Sequence, residues 1–442
     1  MNAPTGTLTA CQDSALDEIM SAHRPGARHL LTGYAGTGKS YLMSSVADLH
    51  RQRRRKVVLT APTHKAVAVL RAKAAAAGLD VECVTIHSLL GLYPVADKAG
   101  TRLVRRKGAK TPDVDVVIVD ECSMLDLSLI QHIDRWLRHA FVLYVGDPAQ
   151  LPPVGEARSA SFETLRRSHL ETIVRQEADN PVLAAAYAIR ASQGGPMDWS
   201  WVKPAKAPPQ GVFLPGRDAD RWLHKAFTSP EFQADNDRFR YLCYTNARVA
   251  QVNTRVRRWL YGDTPEPFSA GERVLIRQPV FVDDAQVFAT NEEAPVEEIA
   301  LDEFDHRVEN RAWADGWTAS VPSWRVVLRT QGGLRVPVHI PRGRVGADAV
   351  AEIEARLIAE AKNEPERWED KRKFLGQLAR LQSVFALTVH TSQGTTLGSA
   401  FVDVDDIRRR AKTNLLECQQ LFYVAATRPT TALILVGAGE AA

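Results

Sequence analysis

The sequence predicts an α/β protein with two parallel-sheet cores, interrupted by a small β-hairpin and a separate β module. Short Val/Leu/Ile-rich runs alternate with helical patterns across residues 29–147, and the same alternation returns between 181 and 437. The interval 262–340 breaks it with turn residues and strand-like pieces. Buried apolar runs alternating with helices indicate a parallel sheet covered on both faces.

In the first core the runs are HLLTG (29–33), VVLTA (57–61), DVVIVD (115–120) and FVLYVGD (141–147), each followed by Gly, Pro or Asp. Helical patterns at 38–54 and 63–77 lie between them. Residues 92–114 interrupt this core with a basic, Gly- and Pro-punctuated segment, in which Asp97-Lys98-Ala99-Gly100 suits the turn of a hairpin. Residues 193–217, rich in Pro, Gly and Trp, read as a loop. The second core takes YLCYTN (241–246), FALTVHT (385–391), AFVDV (400–404) and ALILVG (432–437), flanked by helical stretches at 181–192, 247–260 and 414–427. RVLIR, WRVVLRT and LRVPVHI supply the β module, and 347–382 reads as a charged helix. The expected division is 1–177 for the first core, 178–261 with 385–442 for the second, and 262–384 for the inserted module.

Composition sets the outer bounds. Of 442 residues 45% are hydrophobic and 24% charged, which excludes a disordered or fibrous chain. A net charge of +4 is too mild to identify a nucleic-acid partner by itself. Cys11, Cys83, Cys122, Cys243 and Cys418 form no C-x-x-C pair, which argues against a disulfide scaffold or zinc ribbon and fits a reducing, cytoplasmic setting. No run approaches the ~18–20 apolar residues of a membrane span, and with Asp13, Asp17 and Glu18 and no apolar core in the first thirty residues no signal peptide is expected, nor a membrane partner.

Two motifs carry chemistry on their own residues. GYAGTGKS (33–40) follows a strand and opens a helix, the context a phosphate-binding loop requires. Gly33, Ala35, Gly36, Thr37 and Gly38 would present backbone N–H groups to phosphate oxygens, Lys39 would reach the β- and γ-phosphates, and Ser40, ahead of Tyr41, would hold Mg²⁺. DVVIVDEC (115–122) ends an apolar run in two carboxylates. Asp120 would serve the same Mg²⁺, and Glu121 would position and deprotonate an attacking water. The pair points to hydrolysis of a nucleoside triphosphate.

These motifs stand in a longer ordered set: TACQ (9–12), APTHKAVAVL (61–70), TIHSLLG (85–91), VDECSM (119–124), VGDPAQLPPVG (145–155), IVRQ (173–176), YLCYTN (241–246), TVHTSQG (388–394) and YVAATR (423–428). In this order the chain resembles a superfamily 1 DNA helicase of the Dda and RecD-like branch. The resemblance implies two RecA-like cores, a pin hairpin at 92–114, an SH3-like module at 262–384, ATP and Mg²⁺ as cofactors, and 5′-to-3′ movement on single-stranded DNA towards a duplex fork. It implies that Gln12 reads adenine, that Gln150 senses the γ-phosphate, and that Arg175 and Arg428 reach the triphosphate from the second core. Single-stranded DNA would meet Thr63, His64, Lys65, Thr85, His87, Thr245, Asn246, His390, Thr391 and Gln393. Thr391 stands where the family often has Lys, which removes a phosphate contact, and 95–110 lacks the aromatic of Dda-type pins.

Both halves of an ATP site lie in one chain, so a functional monomer is expected. An RNA translocase, a motor that displaces proteins without unwinding, and a non-hydrolysing nucleotide switch remain alternative readings. Glu121 with Arg175 and Arg428 speaks against the last.

Overall fold

Runs of aliphatic residues buried on both faces build the first sheet. In the computed structural model its strands are β1 (Arg28–Gly33), β2 (Val57–Ala61), β3 (Glu82–Thr85), β6 (Val116–Val119), β7 (Phe141–Gly146) and β8 (Arg167–Leu170), while β4 (Leu92–Asp97) and β5 (Gly100–Arg105) form a separate hairpin. The order is β3-β2-β6-β7-β1-β8, with every pairing parallel. Alternate residues of the central strands feed two cores, one on each face: Leu59, Ile118 and Leu143 on one side, Val117, Val142 and Tyr144 on the other. The residues described are 8–97, 100–172, 180–196, 199, 202, 210–282, 285–308 and 316–437. Arg175, in IVRQ, lies outside them.

The chain divides into two compact units. The first comprises Met1–Ala226, Asp237–Val249 and Leu387–Ala442; the second comprises Phe227–Asn236 and Ala250–Ala386. Both parallel sheets belong to the first unit. Two strands of its second sheet, β9 (Gly211–Phe213) and β10 (Phe239–Cys243), precede the strands of the second unit.

The second unit carries β11 (Arg273–Ile276), β12 (Val280–Val282), β13 (Ala285–Phe288), β14 (Glu293–Val308), β15 (Trp317–Arg329), β16 (Arg335–Pro341) and β17 (Leu381–Ser383). Its main sheet runs β16-β15-β14-β11-β17, and the strand pairings described are antiparallel. Helices Gly343–Glu360 and Arg367–Gln377 pack Ile353, Leu357 and Phe374 against Val308 and Val321. The strands are longer than the short pieces read from the sequence. β14 holds 16 residues although its middle is acidic, because Arg325, Arg329 and Arg335 pair with Glu297 and Glu298.

The chain then completes the second parallel sheet with β18 (Ala386–Thr388), β19 (Leu397–Asp403) and β20 (Pro429–Val436), in the order β18-β10-β19-β20-β9. Helices Pro181–Ala191 and Leu415–Thr427 flank it. The expected loop at 193–217 contains the short strand β9, whose three residues gave no periodic signal.

Candidate active site and nucleic-acid interface

The loop after β1 turns on Gly36 and Gly38, whose φ values of +84° and +81° lie where a side chain is disfavoured. Helix Lys39–Gln52 starts there, so its free N–H groups face the loop. The Lys39 ammonium donates to the carbonyls of Gly33 (2.6 Å) and Tyr34 (2.9 Å). Thr37 turns its hydroxyl back onto the Tyr34 carbonyl, and Tyr41 is half-buried in the first helical turn. Ser40 Oγ accepts from Lys73 Nζ at 2.8 Å.

Gln12 is buried, and both ends of its amide are engaged. Its Oε1 accepts from Thr9 N as part of a capping box, and its Nε2 donates to the Thr37 carbonyl at 3.2 Å. The side chain thus ties the first helix to the phosphate loop.

At the end of β6, Asp120 Oδ1 accepts from the N–H of Glu121 at 2.9 Å. Glu121 has φ +53°, a left-handed conformation that costs a non-glycine residue roughly 1 kcal/mol. Burial, then the neighbouring Glu121, pushes the Asp120 carboxyl up to about 6, against the opposing charges of Lys73 and Lys39. Oxygen donors from Ser40 and Asp120 beside a phosphate loop fit a Mg²⁺–nucleotide.

The second core reaches this loop directly. Tyr423 donates its hydroxyl proton to Asp147 Oδ2 at 2.5 Å and accepts from Ala35 N at 3.3 Å. Tyr187 donates to the Ala35 carbonyl at 2.9 Å, and the Arg190 guanidinium lies 3.5 Å over the Tyr34 ring. Asp147 and Tyr423 fall within motifs visible in the sequence, although neither was singled out there. Tyr187, Arg190 and Lys73 gave no signal, since their partners are distant in sequence.

Gln150 is buried, and its Oε1 lacks a hydrogen-bond partner among the described residues; the same holds for Nε2 of Gln393. Arg428 caps the helix Leu415–Thr427 and donates to the carbonyls of Val424 and Thr395 and to the Thr427 hydroxyl. Those bonds hold its guanidinium within the second core.

The residues expected to face DNA form two groups. Thr63 caps helix His64–Ala76 by accepting from Ala66 N, and Thr85 caps Ile86–Leu90 by accepting from Ser88 N. His87 lies close to the Pro62 backbone and to His64, and burial lowers its pKa. His64 is exposed and Lys65 half-buried. In the second core Thr245 bonds Asp406 and caps Arg248, and Asn246 is exposed at the start of its helix. Thr391 bonds the Thr388 hydroxyl, and burial lowers the pKa of His390, whose ring centroid lies 6.2 Å from that of Tyr244. The two groups meet at Gly394: a Cβ there would lie 3.1 Å from Ala66 Cβ, so glycine permits the close approach. Arg105, one of the basic residues of the hairpin segment, is committed elsewhere. It donates to the carbonyls of Leu90 and Lys110 and stacks 3.8 Å from the Trp136 ring centroid.

Fold and site together define a P-loop protein with two RecA-like cores. Residues 7–200 match a family described as an AAA domain. The chain is 24% identical over 285 residues to the ATP-dependent DNA helicase Dda of Enterobacteria phage T4, covering 62% of each chain. It is 35% identical over 188 residues to the ATP-dependent RecD2 DNA helicase of Deinococcus radiodurans, covering 41% of this chain and 24% of RecD2. The matched stretches therefore span less than two thirds of either relative. A Pif1 helicase from Bacteroides, solved with ADP-AlF3 and ssDNA, shares the fold with a TM-score of 0.51 at 16% identity, covering 97% of this chain and 92% of that one. Over these stretches the chain is similar in sequence to the Dda and RecD2 helicases, and it shares its fold with the Bacteroides Pif1. No described helix is long and apolar enough to cross a membrane.

Proposed function

We propose that this protein is an ATP-dependent DNA helicase that moves 5′ to 3′ on single-stranded DNA and opens the duplex ahead of it, acting as a cytoplasmic monomer. The observation that carries the reading is the double contact between the cores. Tyr187, Arg190 and Tyr423 engage the phosphate loop, and Gly394 rests on the helix that begins with Thr63, His64 and Lys65. In this reading a change at one contact is passed to the other through the second core. The names of Dda and RecD2, and the ADP-AlF3 and ssDNA held by the Bacteroides Pif1, support the same assignment.

In this reading Lys39 exchanges the Gly33 and Tyr34 carbonyls for phosphate oxygens. Glu121 accepts the proton of the attacking water, and its own left-handed backbone sets the direction in which the side chain leaves the strand. Mg²⁺, held by Ser40 and Asp120, would neutralise charge on the phosphate oxygens. Arg428, and Arg175 outside the described residues, would bring planar cationic forks to the triphosphate as the cleft closes. Gln150 and Gln393, each with a buried amide atom in need of a partner, are poised to gain one from nucleotide or DNA.

The test is unwinding of duplexes that carry either a 5′ or a 3′ single-stranded tail, in ATP and Mg²⁺, with Lys39→Ala as control. The 5′-tailed duplex should be opened and the 3′-tailed one should not. Lys39→Ala should abolish DNA-stimulated hydrolysis while single-strand binding persists. Near-normal turnover in that variant overturns the active-site assignment; opening of the 3′-tailed duplex alone overturns the polarity.

A further inference from the structure

Helix His64–Ala76 touches three parts of the machinery. Its first turn carries Thr63, His64 and Lys65, assigned above to the single strand, and the second core presses Gly394 against Ala66 in that same turn. Nine residues beyond His64, about two and a half turns or roughly 14 Å along the axis, Lys73 donates from Nζ to Ser40 Oγ at 2.8 Å. Lys73 is exposed, so the contact is not forced by packing. Its charge also acts on Asp120, more strongly than that of Lys39. A tethered ammonium therefore sits on one oxygen donor suited to a divalent cation, Ser40, and within electrostatic reach of the other, Asp120.

We propose that Lys73 is a positioning residue that couples single-stranded DNA to the metal site, its ammonium engaging Ser40 until movement of the helix His64–Ala76 withdraws it. This rests on the nucleotide-site reading above and deepens it by naming the link between the two sites. The chain of contacts is physical: Gly394 on Ala66, a rigid helix, and Lys73 on Ser40. With Lys73 in place, a divalent cation meets a like charge and an occupied hydroxyl. Strand binding at the first turn, or a shift of the second core at Gly394, moves the helix as a rod and changes both.

The experiment measures Mn²⁺ affinity by electron paramagnetic resonance, with ADP present, for the wild-type protein, Lys73→Met and Lys73→Arg. Each is measured with and without an oligothymidine. Without DNA, Lys73→Met should bind Mn²⁺ about fivefold more tightly than wild type, the size of one screened charge–charge interaction. The oligothymidine should tighten Mn²⁺ binding to wild type and to Lys73→Arg but leave Lys73→Met unchanged. Affinity for the oligothymidine itself, measured without nucleotide, should stay within about twofold, because Lys73 lies far from the first turn. Equal Mn²⁺ affinity of wild type and Lys73→Met without DNA overturns the proposal, as does a DNA effect that survives in Lys73→Met. Failure of the helicase reading would look different: no DNA binding by any variant, with the DNA-free difference between wild type and Lys73→Met intact.

Discussion

His50 has no exposed surface, and burial makes it an acid-sensitive group. Its Nδ1 accepts from Arg55 at 2.8 Å, its Nε2 has no partner among the described residues, and the His23 ring meets it edge-on at 4.8 Å. Burial first, then His23, Arg55 and Arg53, push its pKa from 6.5 down to about 3. The unfolded chain takes up a proton on His50 as pH falls through 6.5, whereas the folded protein resists until about 3. The stability that depends on neutral His50 is therefore complete above 6.5 and is lost between 6.5 and 3, by up to about 1.4 kcal/mol per pH unit. His50→Gln keeps an acceptor for Arg55 and removes the titration. Its unfolding free energy should fall less steeply between pH 6 and pH 4 than that of wild type, and an unchanged slope would exonerate His50. At this scale the phosphate loop was legible because its backbone demands glycine at Gly36 and Gly38. Tyr187 was not legible, because its partner Ala35 lies 152 residues away and no local pattern records such a contact.

Among elements, the hairpin of β4 and β5 was readable from its turn residues, and the register Asp97 with Gly100 closes it at the expected place. The function of its base was not readable. Arg105 is bound to Leu90, Lys110 and Trp136, and Leu103 packs against the core, so both anchor the hairpin and neither is free to wedge strands. Strand β14 escaped detection for the opposite reason. Acidic residues are poor strand formers, and cross-strand partners make them tolerable, the arginines for Glu297 and Glu298 and His339 for Asp302. A hairpin deletion should therefore spare the anchors. Replacing residues 96–102 with a short Gly-Ser turn should leave DNA-stimulated ATP hydrolysis within a few-fold of normal while unwinding drops by at least ~10-fold, as expected for loss of a positioned wedge. Parallel loss of both activities would make the hairpin part of the motor, and undiminished unwinding would move strand separation elsewhere.

For the two cores taken together, the shortest hydrogen bond described between them is that of Tyr423 to Asp147. Both side chains are buried, and burial raises the Asp147 carboxyl above its ordinary value, against Lys39, the Tyr423 hydroxyl and the Ala149 N–H. A buried carboxylate that loses its donor carries an uncompensated desolvation cost, about 1.5–3 kcal/mol for a charged group. Tyr423→Phe keeps the ring and deletes the donor, so it should lower the unfolding free energy by that order. The sign with pH follows. Removing the donor raises the Asp147 pKa further, so the variant suffers most at pH 8, where the carboxyl must ionise, and less towards pH 5 as the balance moves to the protonated form. Thermal or denaturant unfolding of both proteins at the two pH values reads this directly, and the His50 effect cancels because it is common to both. An equal loss at pH 8 and pH 5 would mean that the hydroxyl matters for its bond to Ala35 rather than for the carboxylate. The second core would then hold the phosphate loop by its backbone, and Asp147 would be a bystander to the clasp.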